Sequence, residues 1–146
     1  MPRAKKTSAS KTKTGCERYI EQHPEVLSGF TITVTGQENA LLRVKACKAT
    51  LRILTFLERD RASGGPRVPI ADTPSVTDEW VEISLQALNS VEPGQSYVLT
   101  WVIDSPSDEW QLVSELVLDG TVHYRHLKRN RPGIINAEVL FLKVRP

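Results

Sequence analysis

The sequence predicts an all-β protein: a single antiparallel β-sandwich of seven or eight strands, Ig-like or jelly-roll in topology, with a disordered basic N-terminal arm. Three observations carry that prediction. Short segments alternating apolar and polar residues recur from residue 30 to residue 144. Turn signals built on Gly, Pro and Asp separate them. The first 13 residues, finally, hold no large apolar side chain after Met1, too little to offset the entropy of ordering them. The expected division is an arm over residues 1–15 and a sandwich over residues 16–146.

A chain of 146 residues suits one domain. With 40% apolar and 6% aromatic residues, the composition is that of a globular protein rather than a fibrous or disordered one. The formal charge of +2 conceals a division. Arg3, Lys5, Lys6, Lys11 and Lys13 give residues 1–13 a charge of +5, and every acid lies at Glu17 or later. The rest carries 14 basic against 17 acidic groups, or −3. No run approaches the ~20 apolar residues that span a bilayer, and no apolar run follows the basic start. Cys16 and Cys47 are too few for a disulfide framework and match no metal-ligand spacing. Free thiols and a cytoplasmic location are therefore expected.

Each element follows from local pattern. Residues 16–28 hold one helical turn ended near His23, because Pro24 disfavours α geometry before it. Residues 30–35 (FTITVT) read as a strand closed by Gly36. Residues 41–47 set Leu42, Val44 and Ala46 against Arg43 and Lys45. Residues 50–58 are apolar on both faces, through Leu51, Ile53 and Leu57 and through Leu54 and Phe56, as in a central strand covered on both sides. Residues 59–77, broken by Gly64, Gly65, Pro66, Pro69 and Pro74, read as a long connection. Strands resume over residues 80–88 and, after the Pro93-Gly94 turn, over 96–103. Asp119-Gly120 between residues 110–118 and 121–128 predicts a type I′ hairpin pairing Val117 with Val122, Glu115 with Tyr124 and Val113 with His126. The Arg131-Pro132-Gly133 turn leads to a last strand over residues 137–144.

Four constellations are candidates for function. The arm's Arg3, Lys5, Lys6, Lys11 and Lys13 could neutralise phosphates, and with no aromatic among them any nucleic-acid affinity would be nonspecific. A second basic cluster offers His123, Arg125, Arg129 and Arg131 to an anion, with His123, Arg125 and Arg129 on one face of a strand. The His123–His126 spacing puts those rings on opposite sides of a strand, against a metal site. Arg61 and Arg67 anchor a contact loop between residues 59 and 77. Finally, Ser75–Trp80 recurs as Ser105–Trp110, with an acidic pair and a tryptophan at the start of a strand. Trp80 and Trp110, with Trp101, could stack on a sugar.

No nucleophile elbow or phosphate loop is present, and no cofactor is implied. The expectation is a non-catalytic β-sandwich that binds a protein partner or assembles with copies of itself, with the basic arm as tether. A lectin-like module and a nonspecific nucleic-acid-associated protein are the alternatives.

Overall fold

The computed structural model describes residues 12–27, 31–59, 68–75, 77–105, 109–130 and 136–146. Among them run an α-helix, α1 (Gly15–Gln22), and nine strands. The strands are β1 (Thr31–Val34), β2 (Ala40–Cys47), β3 (Leu51–Arg59), β4 (Val68–Ser75), β5 (Trp80–Ser84), β6 (Ser96–Asp104), β7 (Gln111–Leu118), β8 (Thr121–Arg129) and β9 (Ala137–Val144). Two antiparallel-rich sheets form, ordered β1-β9-β6-β3-β4 and β5-β2-β7-β8. The expected all-β sandwich is thus present, with one departure from antiparallel pairing: β1 runs parallel to β9.

The core lies where alternate residues of the two sheets meet. Leu42 and Val44 of β2, Ile53 of β3, Leu99 and Trp101 of β6, Leu116 of β7 and Leu142 of β9 are all fully buried there. A second, smaller core lies on the other side of the four-stranded sheet, where Tyr19 and Ile20 of α1 pack on Val113 and Leu127. That double cover explains why every residue of β7 is buried. Helix α1 begins at a capping box: Thr14 Oγ1 accepts from the Glu17 N–H, and Glu17 accepts from the Thr14 N–H. It ends at Gln22, with His23 as its C-cap.

Several expectations are corrected. Cys16 and Cys47 are not free thiols but a disulfide, with Cα atoms 6.1 Å apart, bonding α1 to the end of β2. The connection over residues 59–77 contains β4, whose Pro69 and Pro74 are tolerated because β4 is an edge strand with one ladder to satisfy. The strand expected over 80–88 stops at Ser84. Leu85 and Leu88, three apart and both buried, then suit the 3₁₀ turn Gln86–Ser90 better than a period of two.

The hairpin turn is as expected, with Asp119 and Gly120 both at positive φ. The Val117–Val122 pair is also as expected, but the register beyond it is not. A bulge between Leu116 and Val117 leaves His123 as the extra residue. Glu115 therefore faces Arg125 rather than Tyr124, Val113 faces Leu127 rather than His126, and Tyr124 turns into the core. The bulge also takes His123 out of the alternation that Arg125 and Arg129 follow.

Candidate functional site

The basic cluster on β8 is already matched by the protein's own acids. Arg125 Nε donates to Glu115 Oε2 at 2.6 Å, and its Nη1 to the Pro24 carbonyl at 3.2 Å. Glu115 is fully buried and also accepts from Arg43 at 3.0 Å and from the Tyr19 hydroxyl. Burial first, and the Glu115 carboxylate second, push the Tyr19 hydroxyl above its ordinary pKa. Arg129 reaches Glu17 at 3.3 Å, and His126 meets Glu25 at 2.6 Å. Glu17 is held below the ordinary carboxylate range, chiefly by the Thr14 N–H. These bonds pin α1 and the segment after it to β7 and β8, so Arg125 and Arg129 face protein carboxylates. Arg131 lies outside the described residues, as do Arg3, Lys5, Lys6, Lys11, Arg61 and Arg67. Lys13 pairs with Glu21.

The tryptophans separate by depth. Trp101 is fully buried, its Nε1 donating to Glu138 Oε2 at 2.8 Å and to Ser114 Oγ at 3.0 Å. Trp110 is 3% exposed and belongs to the main core. Trp80 is half-buried, with the Arg43 guanidinium 4.4 Å above its ring and Tyr19 edge-on at 4.9 Å. The three share no exposed surface. Among the described residues no cluster of three metal-ligating side chains occurs. No helix among them is long and apolar enough to cross a membrane.

The apolar surface lies on the opposite sheet, on the outward faces of β9, β6 and β3. The register sets these residues in rows. Ala137, Val102 and Leu54 lie across from one another, as do Val139, Thr100 and Phe56, and then Phe141, Val98 and Glu58. Val139 is 47% exposed and Phe141 38%, the most exposed large apolar side chains of any described strand. The charges on this face nearly cancel: Arg52 and Lys143 stand against Glu58, Asp72 and Asp104, and Arg52 pairs with Asp72 across β3 and β4.

The two-sided apolar pattern of β3 was expected to mean cover on both faces; Leu54 and Phe56 are instead only partly buried, on the outward face. Val139 and Phe141 were not singled out, because alternation in one strand does not tell which of its faces is the core.

Two of the four sheet edges, β4 and β8, are less available. Pro69 and Pro74 remove two N–H donors from β4. Val26 covers β8, exchanging two backbone hydrogen bonds with Arg125 at 2.9 Å each. Compared with known proteins, the chain matches no family model, no curated sequence and no solved structure.

Proposed function

We propose that this protein is a non-catalytic association module, and that its partner on the five-stranded sheet is a second copy of itself. The observation that carries the reading is the outward row of Leu54, Phe56, Val98, Val102, Val139 and Phe141 on three adjacent strands. Contiguous apolar patches of this kind mark interaction surfaces. A near-neutral face favours a like face over a strongly charged partner, since packing two copies brings no large like charges together. Five strands ~4.8 Å apart and about six residues rising ~3.3 Å each span ~24 by ~20 Å. Two such faces bury about 1,000 Å², the lower limit for specific association, so the expected dimer is weak.

Supporting the finer reading of the fold are the pairings β2–β5, β3–β6 and β6–β9, which are those of an Ig-like Greek key. On that reading the β7–β8 hairpin is an addition to the smaller sheet. The basic arm is a tether that joins the fold at Thr14, the N-cap of α1.

Sedimentation equilibrium tests the proposal. The wild type is expected to dimerise in the micromolar range, and Phe141→Lys with Val139→Lys to remain monomeric with an unchanged melting temperature. A wild type that stays monomeric at several hundred micromolar, or a lysine variant that dimerises as well, overturns it.

A further inference from the structure

The geometry points to a phosphate-binding groove beside the start of α1, in which Arg18, Lys45 and Lys48 hold the sugar-phosphate backbone of a nucleic acid strand. This site is distinct from the β8 cluster and from the apolar sheet face. The groove has a volume of about 560 Å³ and is lined by the first turn of α1, the end of β2 and the Thr77–Asp78 segment. Lys45 Nζ and Asp78 Oδ1 approach Gly15 from opposite elements, 3.4 and 3.6 Å from where a Cβ would stand.

Charge separates this groove from the arginines of β2, β3 and β8. Arg43, Arg52, Arg59, Arg125 and Arg129 each have a carboxylate within 4 Å. Among the described residues, Arg18, Lys45 and Lys48 make no such pair. The Arg18 guanidinium donates to the Lys13 carbonyl at 3.0 Å. Three cations and one acid, Asp78, leave the groove at +2. Five arginines of the strands are thus neutralised internally, whereas the groove brings three cations without such a partner together on one lining.

The walls are also held in place. Lys45 lies on β2, which is paired on both sides, and the disulfide bonds α1 to the same strand. The Asp78 N–H donates to the Ala46 carbonyl at 2.7 Å. Lys48 and Asp78 have φ of 74° and 65°, and the only other described non-glycine residue at positive φ is in the hairpin turn. Conformations of this kind persist where the surroundings impose them. Cations held on a fixed frame lose less freedom when they bind.

The sequence favours a polymer over a single small anion. Residues 1–13, which precede Thr14 in the chain, carry four more cations besides Lys13, whose partner is Glu21, so the sequence leading to the groove is basic. No aromatic side chain lines the groove, so the bases go unread and binding is independent of sequence.

Fluorescence anisotropy of the full chain with a labelled thymidine strand of about 20 nucleotides, over about 50 to 200 mM salt, tests the site. Single strands lose about 0.7 of log-log salt slope for each phosphate contact removed. The variant Arg18→Gln, Lys45→Gln, Lys48→Gln keeps the arm and is expected to lower the slope by about 2 and weaken binding at least tenfold at the lowest salt. Lys48→Gln alone, at an exposed position, should lower the slope by about 0.7 and guards against a folding defect in the triple variant. Unchanged slopes in both would assign all binding to the arm and overturn the proposal. So would binding only to phosphatidylserine vesicles or to a phosphopeptide, with none to the strand.

Discussion

Glu138 is the residue whose position is hardest to reconcile with water. It is buried between the sheets, where Tyr124 OH and Ser114 Oγ donate to it at 2.7 Å each and Trp101 Nε1 at 2.8 Å. Burial raises its carboxyl above the ordinary 4.5 and outweighs those donors, which favour the charged form. The same burial, with Glu138 adjacent, raises the Tyr124 hydroxyl. The folded state therefore holds the Glu138 proton more tightly than the unfolded chain does. Its contribution to stability is complete below pH 4.5 and is lost as pH rises through the higher folded value. Glu138→Gln keeps an oxygen for Trp101 and Ser114 and can donate to the Tyr124 oxygen. Urea melts at pH 5 and pH 8 are expected to show the variant gaining on the wild type as pH rises. A constant difference between the two would remove Glu138 as the source. Nothing in the sequence marks this residue. It sits at an inward position of a strand where an apolar side chain is the ordinary choice, and only the partners from β6, β7 and β8 explain it.

Among the elements, α1 depends most on its surroundings. Eight residues fall below the ~12–15 at which an isolated helix becomes marginal in water. The capping box, the Tyr19 and Ile20 contacts and the disulfide hold it in place. A bridge across a separation of 31 residues contributes about 3–4 kcal/mol by loop-closure entropy. Cys16→Ser with Cys47→Ser should lower the unfolding free energy by up to that amount, with hydrogen exchange of α1 rising well ahead of that of β7. A loss below ~1 kcal/mol, or equal exchange in both elements, would mean that packing alone holds the helix. The pairing was hidden in the sequence because a separation of 31 residues says nothing about distance in space. β4 was hidden for a different reason. Proline marks a break in a central strand but is compatible with an edge, and edge or centre is a property of the whole sheet. The hairpin turn was legible because Asp-Gly acts locally; the bulge at His123, beyond the pairs of Thr121 and Val122, answers to the core position of Tyr124.

For the whole molecule, the division of charge read from the sequence now has a spatial counterpart. The cations of the groove and the entry point of residues 1–13 lie on the helix-bearing side, and the apolar face lies on the other sheet. A dimer joined through that face would carry its two basic ends outward, so the two proposed activities do not compete. Removing residues 1–13 changes the formal charge from +2 to −3. At pH 7 the shortened protein is expected to reverse its electrophoretic mobility, keep its melting temperature within about 2 °C and dimerise as before. A large loss of thermal stability would show that those residues belong to the fold and are not a tether. The sandwich and its main core strands could be anticipated from pattern and composition. The candidate sites could not, because whether a cation faces a carboxylate or solvent depends on which strands become neighbours.

The disulfide has one further consequence, which is mechanical. Residues 17–46 lie inside a covalent loop closed at Cys16 and Cys47. A pull on the arm passes from Cys16 through the sulfur bridge directly to Cys47, at the end of a strand flanked on both sides. The helix, β1 and nearly all of β2 are left out of the line of force. A ligand dragging on the basic residues would strain the sandwich at one point and could not peel α1 from its surface while the bridge is intact.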